Sequence, residues 1–194
     1  MMFKEFLCLW IPIGFLVGWI RGQTPPSIGV ESCKALMTAK AVLTGNAGIA
    51  GQVTFQLVMG SQQLVVVDVS LSGLQKPDGF GDYTYHGCNA KLNFFTHLVH
   101  THPVGTDGNC QAAEGHLDPF NVGDKTPCDF HQPQLCQTGD LSGKFGKISS
   151  ARDTVSMHYI DPFLRFFPAE QSIYGRSVVL HAPDSTRLAC GKPI

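Results

Sequence analysis

The sequence predicts an all-β domain built as an antiparallel sandwich or barrel. Helical periodicity is scarce, whereas short runs rich in Val and Leu recur between clusters of Gly, Asn and Ser. Short strands separated by turn signals are typical of such folds. The chain of 194 residues is long enough for one full-size domain with its own hydrophobic core.

Six segments carry a strand pattern, either as alternation of apolar and polar residues or as a Val- and Leu-rich run. The predicted strands span residues 39–43, 51–58, 64–74, 94–102, 146–149 and 177–181. Residues 75–88 are polar and glycine-rich, which predicts a loop. Residues 105–147 show almost no periodicity and contain three cysteines, so we expect a long loop that disulfides pin to the domain.

The composition argues against two broad classes of protein. The 14 Lys and Arg residues nearly balance the 15 Asp and Glu residues, whereas nucleic-acid-binding proteins usually carry a basic excess that neutralises phosphates. A hydrophobic content of 43% with only 15% charged residues argues against a disordered chain. We therefore expect a folded protein without a nucleic-acid partner.

The N-terminus has the pattern of a secretion signal. An apolar run over residues 6–20 has the length of a signal-peptide core and is short for a membrane-spanning helix. Gly22 is a small residue at the place where cleavage requires one. We predict a signal peptide over residues 1–22 and a mature domain over residues 23–194 that is secreted, extracellular and free of the membrane. A retained membrane anchor is the alternative.

Removal of the signal peptide leaves six cysteines. An even number in a secreted chain predicts three disulfides, although six cysteines allow 15 pairings. The six residues are Cys33, Cys88, Cys110, Cys128, Cys136 and Cys190.

All eight histidines lie after residue 85, and three of them crowd into residues 97–102. Side chains two residues apart share one face of a strand, so His100 and His102 can converge on one ion, while His97 points to the other face. Imidazole suits zinc, copper, iron and nickel. On this pattern alone, a histidine-rich strand without metal is an equally good interpretation.

Four segments in the same order resemble motifs of the copper/zinc superoxide dismutases. They are Gly108–Asn121, Gly139–Lys144, Gly175–His181 and Thr186–Gly191. The resemblance extends from about Ala39 to Cys190. It implies an eight-stranded Greek-key fold, a flattened barrel or sandwich with long disulfide-pinned loops.

The resemblance also implies how the cysteines pair. In the family, the cysteine six residues before the metal-bridging histidine pairs with the cysteine three residues after the arginine. Two cysteines close together in the long loop are expected to pair locally, which leaves the last two for each other. The implied pairs are Cys110–Cys190, Cys128–Cys136 and Cys33–Cys88. A shuffled connectivity is the alternative.

The site residues follow from the same motifs. The resemblance implies copper ligands at His100, His116 and His181, with His116 also carrying a proton during catalysis. Arg187 matches the arginine that guides and holds superoxide. The family chemistry converts superoxide to oxygen and hydrogen peroxide at one copper ion per chain.

The positions that correspond to the zinc site depart from the zinc-binding pattern. The shared position is His116, but Asp124 and Gln137 occupy two histidine positions, and an amide is a poor zinc ligand. Residues 182–186 stand where the copper/zinc enzymes carry a long electrostatic loop. Both departures resemble the secreted, copper-only fungal superoxide dismutases, which implies copper without zinc and a monomer.

Without zinc, another group must orient the His116 ring. A carboxylate does this at other metal sites, and we predict Asp124 and Asp140 for the role. The alternative is that Asp124 is a loop-turn acid and Asp140 an aspartate that bonds its own turn.

One copper-ligand position departs from the family pattern. The spacing to Pro103 places His100 at the second position of the ligand pair, and the first is then Leu98, which cannot ligate. Three interpretations remain. His102 substitutes as a ligand, His97 turns inward through a bulge, or copper is held by three histidines only, weakly or not at all.

The sequence therefore predicts an extracellular, copper-dependent superoxide dismutase. The alternative is a catalytically impaired secreted relative that serves as a metal-binding or interaction module because Leu98 replaces a copper ligand.

Overall fold

The structure of the protein is a computed structural model. It describes residues 37–45, 48–58, 63–74, 94–125 and 127–191. These residues belong to the structural unit Lys34–Ile194. The predicted signal peptide, the 75–88 loop, His86 and the Cys33–Cys88 pair lie outside the described residues. Within the described ranges, the helices lack the length and apolar character that crossing a membrane requires.

Eight antiparallel strands form the described part of the fold. They are β1 (Thr38–Gly45), β2 (Ala50–Val58), β3 (Leu64–Ser72), β4 (Phe94–His100), β5 (Ile148–Ser149), β6 (Val155–Asp161), β7 (Ser177–His181) and β8 (Arg187–Gly191). Their order in space is β5-β4-β7-β8-β1-β2-β3-β6, and the sheet curls into a nearly closed barrel. The predicted all-β fold is therefore confirmed.

Alternation of side chains builds the core. In β1, β2 and β3 every second residue is buried and apolar, because successive side chains on a strand point to opposite faces. The buried residues of these strands are Ala39, Ala41, Leu43, Val53, Phe55, Leu57, Val65, Val67, Val69 and Leu71. β7 lies between β4 and β8 and is buried along all five residues. This central position carries His181 into the interior.

Two of the eight strands were absent from the sequence prediction. β6 alternates partly buried Val155, Met157 and Tyr159 with exposed residues, so the period-two signal was present in the sequence. β8 lies in the segment that was singled out as a motif but not as a strand. The predicted fourth strand ended at residue 102, whereas β4 ends at His100.

One short α-helix, α1 (Leu141–Phe145), interrupts the long loop that the sequence predicted over residues 105–147. Asp140 caps it, since its Oδ1 accepts from the Gly143 N–H at 2.7 Å. The loop also contains two short 3₁₀ turns, Cys110–Ala113 and Pro133–Leu135. The two implied disulfides that lie within the described residues are present. Cys110–Cys190 joins the loop to β8, and Cys128–Cys136 closes a small ring within the loop.

A buried ion pair anchors α1 to β6. Lys144 Nζ lies 2.7 Å from Asp161 Oδ2 and donates to Thr138 O at 2.7 Å, and neither charged side chain is exposed. Burial lowers the pKa of Lys144, and Asp161 opposes that shift. Asp161 Oδ1 also accepts from the N–H groups of Phe163 and Leu164, at 2.7 and 3.1 Å.

His97 forms a second anchor for α1. Its ring is fully buried on the core side of β4, with Nδ1 2.7 Å from Ser142 Oγ and Nε2 3.0 Å from Tyr159 Oη. The His97 N–H also donates to Ser142 Oγ at 2.7 Å. The strand alternation therefore places His97 on the face opposite His100, as the sequence predicted, and both ring nitrogens have partners there.

We predict that breaking the buried ion pair from one side is strongly destabilising. Lys144→Met leaves the Asp161 carboxylate buried without its cation, which should lower the free energy of unfolding by about 3–5 kcal/mol. The double variant Lys144→Met/Asp161→Asn should recover part of this loss, because the amide oxygen can still accept from Phe163 and Leu164. Urea unfolding of the wild type and the two variants measures the effect, and a double variant no more stable than Lys144→Met would contradict it.

We also predict that His97 makes the fold acid-sensitive. Burial and then the Lys144 charge lower the pKa of His97 from 6.5 to about 4. At a pH between these two pKa values, the unfolded chain binds a proton at His97 and the folded chain does not. Stability is therefore complete above the unfolded pKa and falls as pH drops through this window, by roughly 3 kcal/mol at most from this residue. His97→Gln should lower stability at neutral pH but flatten its pH dependence in urea unfolding; parallel profiles would show that His97 does not contribute.

Candidate metal centre

Three of the predicted histidines come together at the ends of β4 and β7. His100 is the last residue of β4, His181 is the last residue of β7, and His116 pairs with His100 in an isolated antiparallel bridge. One nitrogen from each of the three side chains lies within 4.8 Å of the others. The described structure therefore gathers into one cluster three side chains that are far apart in sequence.

Each ring is fixed by a hydrogen bond at Nδ1. His100 Nδ1 lies 2.8 Å from Glu114 O, and His181 Nδ1 lies 3.2 Å from Ser185 O. His116 Nδ1 lies 2.6 Å from Gln137 Oε1. Carbonyl oxygens only accept hydrogen bonds, so this network assigns a proton to Nδ1 of all three rings.

Asp124 fixes which atom of the Gln137 amide faces His116. The Gln137 Nε2 donates to Asp124 Oδ1 at 2.8 Å, because the carboxylate can only accept. The amide oxygen must then face the His116 ring. Asp124 itself lies 3.7 Å from His116 Nδ1.

The opposite ring nitrogens carry lone pairs that face one another. His100 Nε2 and His181 Nε2 are 3.0 Å apart, and neither has a proton in the assigned tautomer. Two such nitrogens repel unless a cation lies against both. Two nitrogens that each lie about 2 Å from one ion are roughly 3 Å apart, so the spacing fits a shared metal ion.

The protonation state of the cluster also suits a metal. Burial lowers the pKa of His100 to about 3, and burial lowers the pKa of His181 below its usual value. Neighbouring His116 and Arg187 act in the same direction on both rings. Both rings are therefore neutral at physiological pH, the state in which imidazole binds a metal.

Gly139 holds the loop against the strands that carry the histidines. Its N–H donates to Leu117 O at 2.8 Å, its carbonyl accepts from Val99 N at 2.9 Å, and Leu117 N donates to Val99 O at 2.8 Å. A Cβ at this residue would lie 2.2 Å from Val99 O, so only glycine fits. This close approach sets the position of Gln137, two residues earlier.

Arg187 ties the loop to the cluster from the other side. Its guanidinium donates to Cys110 O at 2.5 Å, to Gln111 O at 3.3 Å and to Glu114 O. The Glu114 carbonyl also contacts His100 Nδ1, so one oxygen connects the arginine to a metal-ligand candidate. The Cys110–Cys190 disulfide fixes the same loop to β8.

Comparison with known proteins identifies the family. The family model described as copper/zinc superoxide dismutase (SODC) matches residues 49–191. The chain belongs to the copper/zinc superoxide dismutase family. The resemblance seen in the sequence is therefore confirmed.

Two of the curated relatives are fungal superoxide dismutases of the cell surface. The cell surface Cu-only superoxide dismutase of Arthroderma benhamiae is 35% identical over 166 residues, which cover 78% of this chain and 44% of the relative. Cell surface superoxide dismutase [Cu-Zn] 6 of Candida albicans is 31% identical over 178 residues, covering 91% and 50%. The chain spans about half the length of these curated relatives.

A solved superoxide dismutase shares the fold. The Cu(II) form of Candida albicans superoxide dismutase 5 matches with a TM-score of 0.59 and 28% sequence identity. The match covers 80% of this chain and 90% of the other. The Greek-key barrel is therefore the superoxide dismutase fold.

The superoxide dismutase ligand position at Leu98 is apolar in the structure. Leu98 shares the His100 face of β4, is 6% exposed, and lines a cavity of about 650 Å³ that also borders His116, His181 and Arg187. His102 lies beyond the end of β4, where its half-exposed ring is 3.3 Å from Glu114 Oε2. The structure does not bring His102 or His97 into the cluster.

The two aspartates predicted to orient the His116 ring make different contacts in the structure. Asp124 acts through Gln137, whereas Asp140 caps α1 and also lines the cavity beside His116. Sequence reasoning missed Gln137 as the direct partner of His116, because the superoxide dismutase pattern presented it only as a poor zinc ligand. Its position directly after Cys136 was the available signal.

We predict that Gln137 raises metal affinity by holding the His116 ring. Gln137→Ala removes the acceptor at Nδ1 and should weaken Cu(I) binding about 10–100-fold in a competition titration. Gln137→Glu retains an acceptor for Nδ1 but loses the donor to Asp124, so it should restore only part of the affinity. Gln134→Ala, an exposed glutamine in the same disulfide ring, is the matched control. Unchanged affinity in Gln137→Ala would contradict the assignment.

Proposed function

We propose that this chain is an extracellular superoxide dismutase that converts superoxide to oxygen and hydrogen peroxide with one copper ion. The supporting observation is the cluster of His100, His116 and His181, whose Nδ1 atoms all have partners. The opposite nitrogen of each ring is thereby left for a metal. When bound, copper would supply the one-electron chemistry that zinc lacks.

Arg187 provides the positive charge for an anionic substrate. It borders the same cavity as His116 and His181, and backbone carbonyls hold its guanidinium in place. The chain has a net charge of −1 and offers no bulk attraction for an anion, so local attraction at Arg187 carries the steering.

His116 is placed to move a proton. Its Nδ1–H is held by Gln137, so Nε2 is the atom that would bind copper and that, when free of copper, could carry a proton to the departing product. The ring is less buried than those of His100 and His181 and borders the open cavity. Proton exchange with solvent is therefore direct.

We propose copper as the only metal. The superoxide dismutase zinc positions hold Asp124 and Gln137, and these two side chains hydrogen-bond to each other. The Gln137 amide also occupies His116 Nδ1, the atom that zinc would need. An amide is a poor ligand for zinc compared with imidazole.

We propose that the mature protein is secreted and works as a monomer outside the cell. Support comes from the N-terminal signal pattern and from two disulfides, which persist in oxidising compartments. The named relatives are cell-surface enzymes. Superoxide is its proposed substrate.

Leu98 favours a second function. A centre that lacks one imidazole would bind copper with little turnover, and the protein would then serve as a secreted metal-binding or interaction module. The two functions differ in a single measurement, dismutation by the copper-loaded protein.

We predict that copper-loaded protein consumes superoxide. His116→Ala and His181→Ala should reduce both copper content and dismutation to background, because each removes a ligand. Arg187→Ala should lower the rate per bound copper about tenfold or more through lost steering. His158→Ala removes an exposed histidine that pairs with Asp68, and it serves as the matched control with unchanged activity. Folded, copper-loaded wild type without activity would leave only the second function.

A further inference from the structure

Leu98 fills the place from which a fourth ligand would reach the metal centre. β4 pairs with β7 in unbroken register, with Leu98 opposite Val179. The register shift between Leu180 and His181 belongs to the pairing of β7 with β8. The regular pairing keeps Leu98 on the same face as His100. Its side chain lines the cavity beside His116 and His181.

The other described histidines near Leu98 are already engaged. His97 contacts Ser142 and Tyr159 across the core, and His102 contacts Glu114 at the surface. Within the described ranges, the His, Cys and acidic side chains grouped closely enough to share an ion are the three clustered histidines. The donor set is therefore three imidazoles with an apolar wall on the fourth side.

The two oxidation states of copper respond differently to such a set. Cu(II) favours four donors in a tetragonal arrangement. Cu(I) has a closed shell and imposes no such geometry, so three imidazoles satisfy it. It also carries one charge fewer, which lowers the cost of placing it against an apolar side chain.

We propose that Leu98 makes this centre selective for Cu(I) over Cu(II). The inference rests on the proposed copper site. A ligand missing from the set weakens Cu(II) binding more than Cu(I) binding, so the ratio of the Cu(II) to the Cu(I) dissociation constant is high. The reduction potential of the bound ion rises with that ratio, by about 59 mV for each tenfold change in a one-electron couple.

The proposal assigns opposite effects to two substitutions at one position. Leu98→His adds an imidazole and should lower the dissociation-constant ratio at least about tenfold, which corresponds to about 59 mV in potential. Leu98→Met keeps the side-chain volume and adds a soft thioether, which favours Cu(I) and should raise the ratio. Leu98→Ile adds no donor and is the matched control.

The experiment measures both affinities on the full mature chain. Cu(I) affinity is obtained by anaerobic competition with bicinchoninate, and Cu(II) affinity by competition with glycine. Electron paramagnetic resonance of the Cu(II) forms should show one additional nitrogen coupling in Leu98→His relative to wild type. Leu98→Met remains informative if the polar variant does not fold, because leucine and methionine exchange readily in cores.

The outcomes separate this inference from the proposed function. A ratio that responds to neither Leu98→His nor Leu98→Met overturns the inference, as does an equal shift in Leu98→Ile. A wild-type protein that binds Cu(I) selectively but does not consume superoxide removes the proposed function and leaves the inference standing. An active wild type whose dissociation-constant ratio changes with neither donor substitution removes the inference and leaves the proposed function standing.

Discussion

The hydrogen bonds at the three Nδ1 atoms are the constraint around which the described loops are arranged. Each acceptor belongs to a separately anchored segment. The Glu114 carbonyl is held by Arg187 and by the Cys110–Cys190 disulfide. The Ser185 carbonyl lies in a tight turn closed by Ser185 N–H donating to Ala182 O at 3.0 Å. Gln137 follows a disulfide ring and precedes Gly139. The long loop has little regular structure, and its anchors hold the carbonyl oxygens that accept from the histidine rings.

Behind this loop, a buried ion pair orients a helix and does not take part in the histidine cluster. Lys144 and Asp161 are buried together, and such a pair contributes little net stability over an apolar pair of the same size. Its contacts reach Thr138 and the backbone after β6, so it fixes α1 in one orientation. The fold thus has one polar layer on each side of β4. The buried layer positions the loop, and the layer of imidazoles faces the cavity.

Sequence reasoning reached different depths in different parts of the molecule. Strand alternation predicted β1 to β3 and placed His97 and His100 on opposite faces, because the period of a strand is a local property. The spacing before Pro103 identified Leu98 as the departure from the family pattern. The pairing of Gln137 with His116 was not predictable, since it depends on the Gly139 backbone and on the amide orientation that Asp124 fixes. β6 was missed although its alternation was visible in the sequence. Its inward side chains are only partly buried in the structure.

Gly139 and Gln137 differ in their freedom to vary during evolution. Any side chain at Gly139 would collide with the Val99 carbonyl, so this backbone is closed to substitution. Gln137 lies two residues away and is only partly buried. A rigid platform therefore carries one exchangeable group in contact with His116. A lineage can place an amide, a carboxylate or an imidazole there by a single codon change, and so alter the charge of the centre without rebuilding the fold.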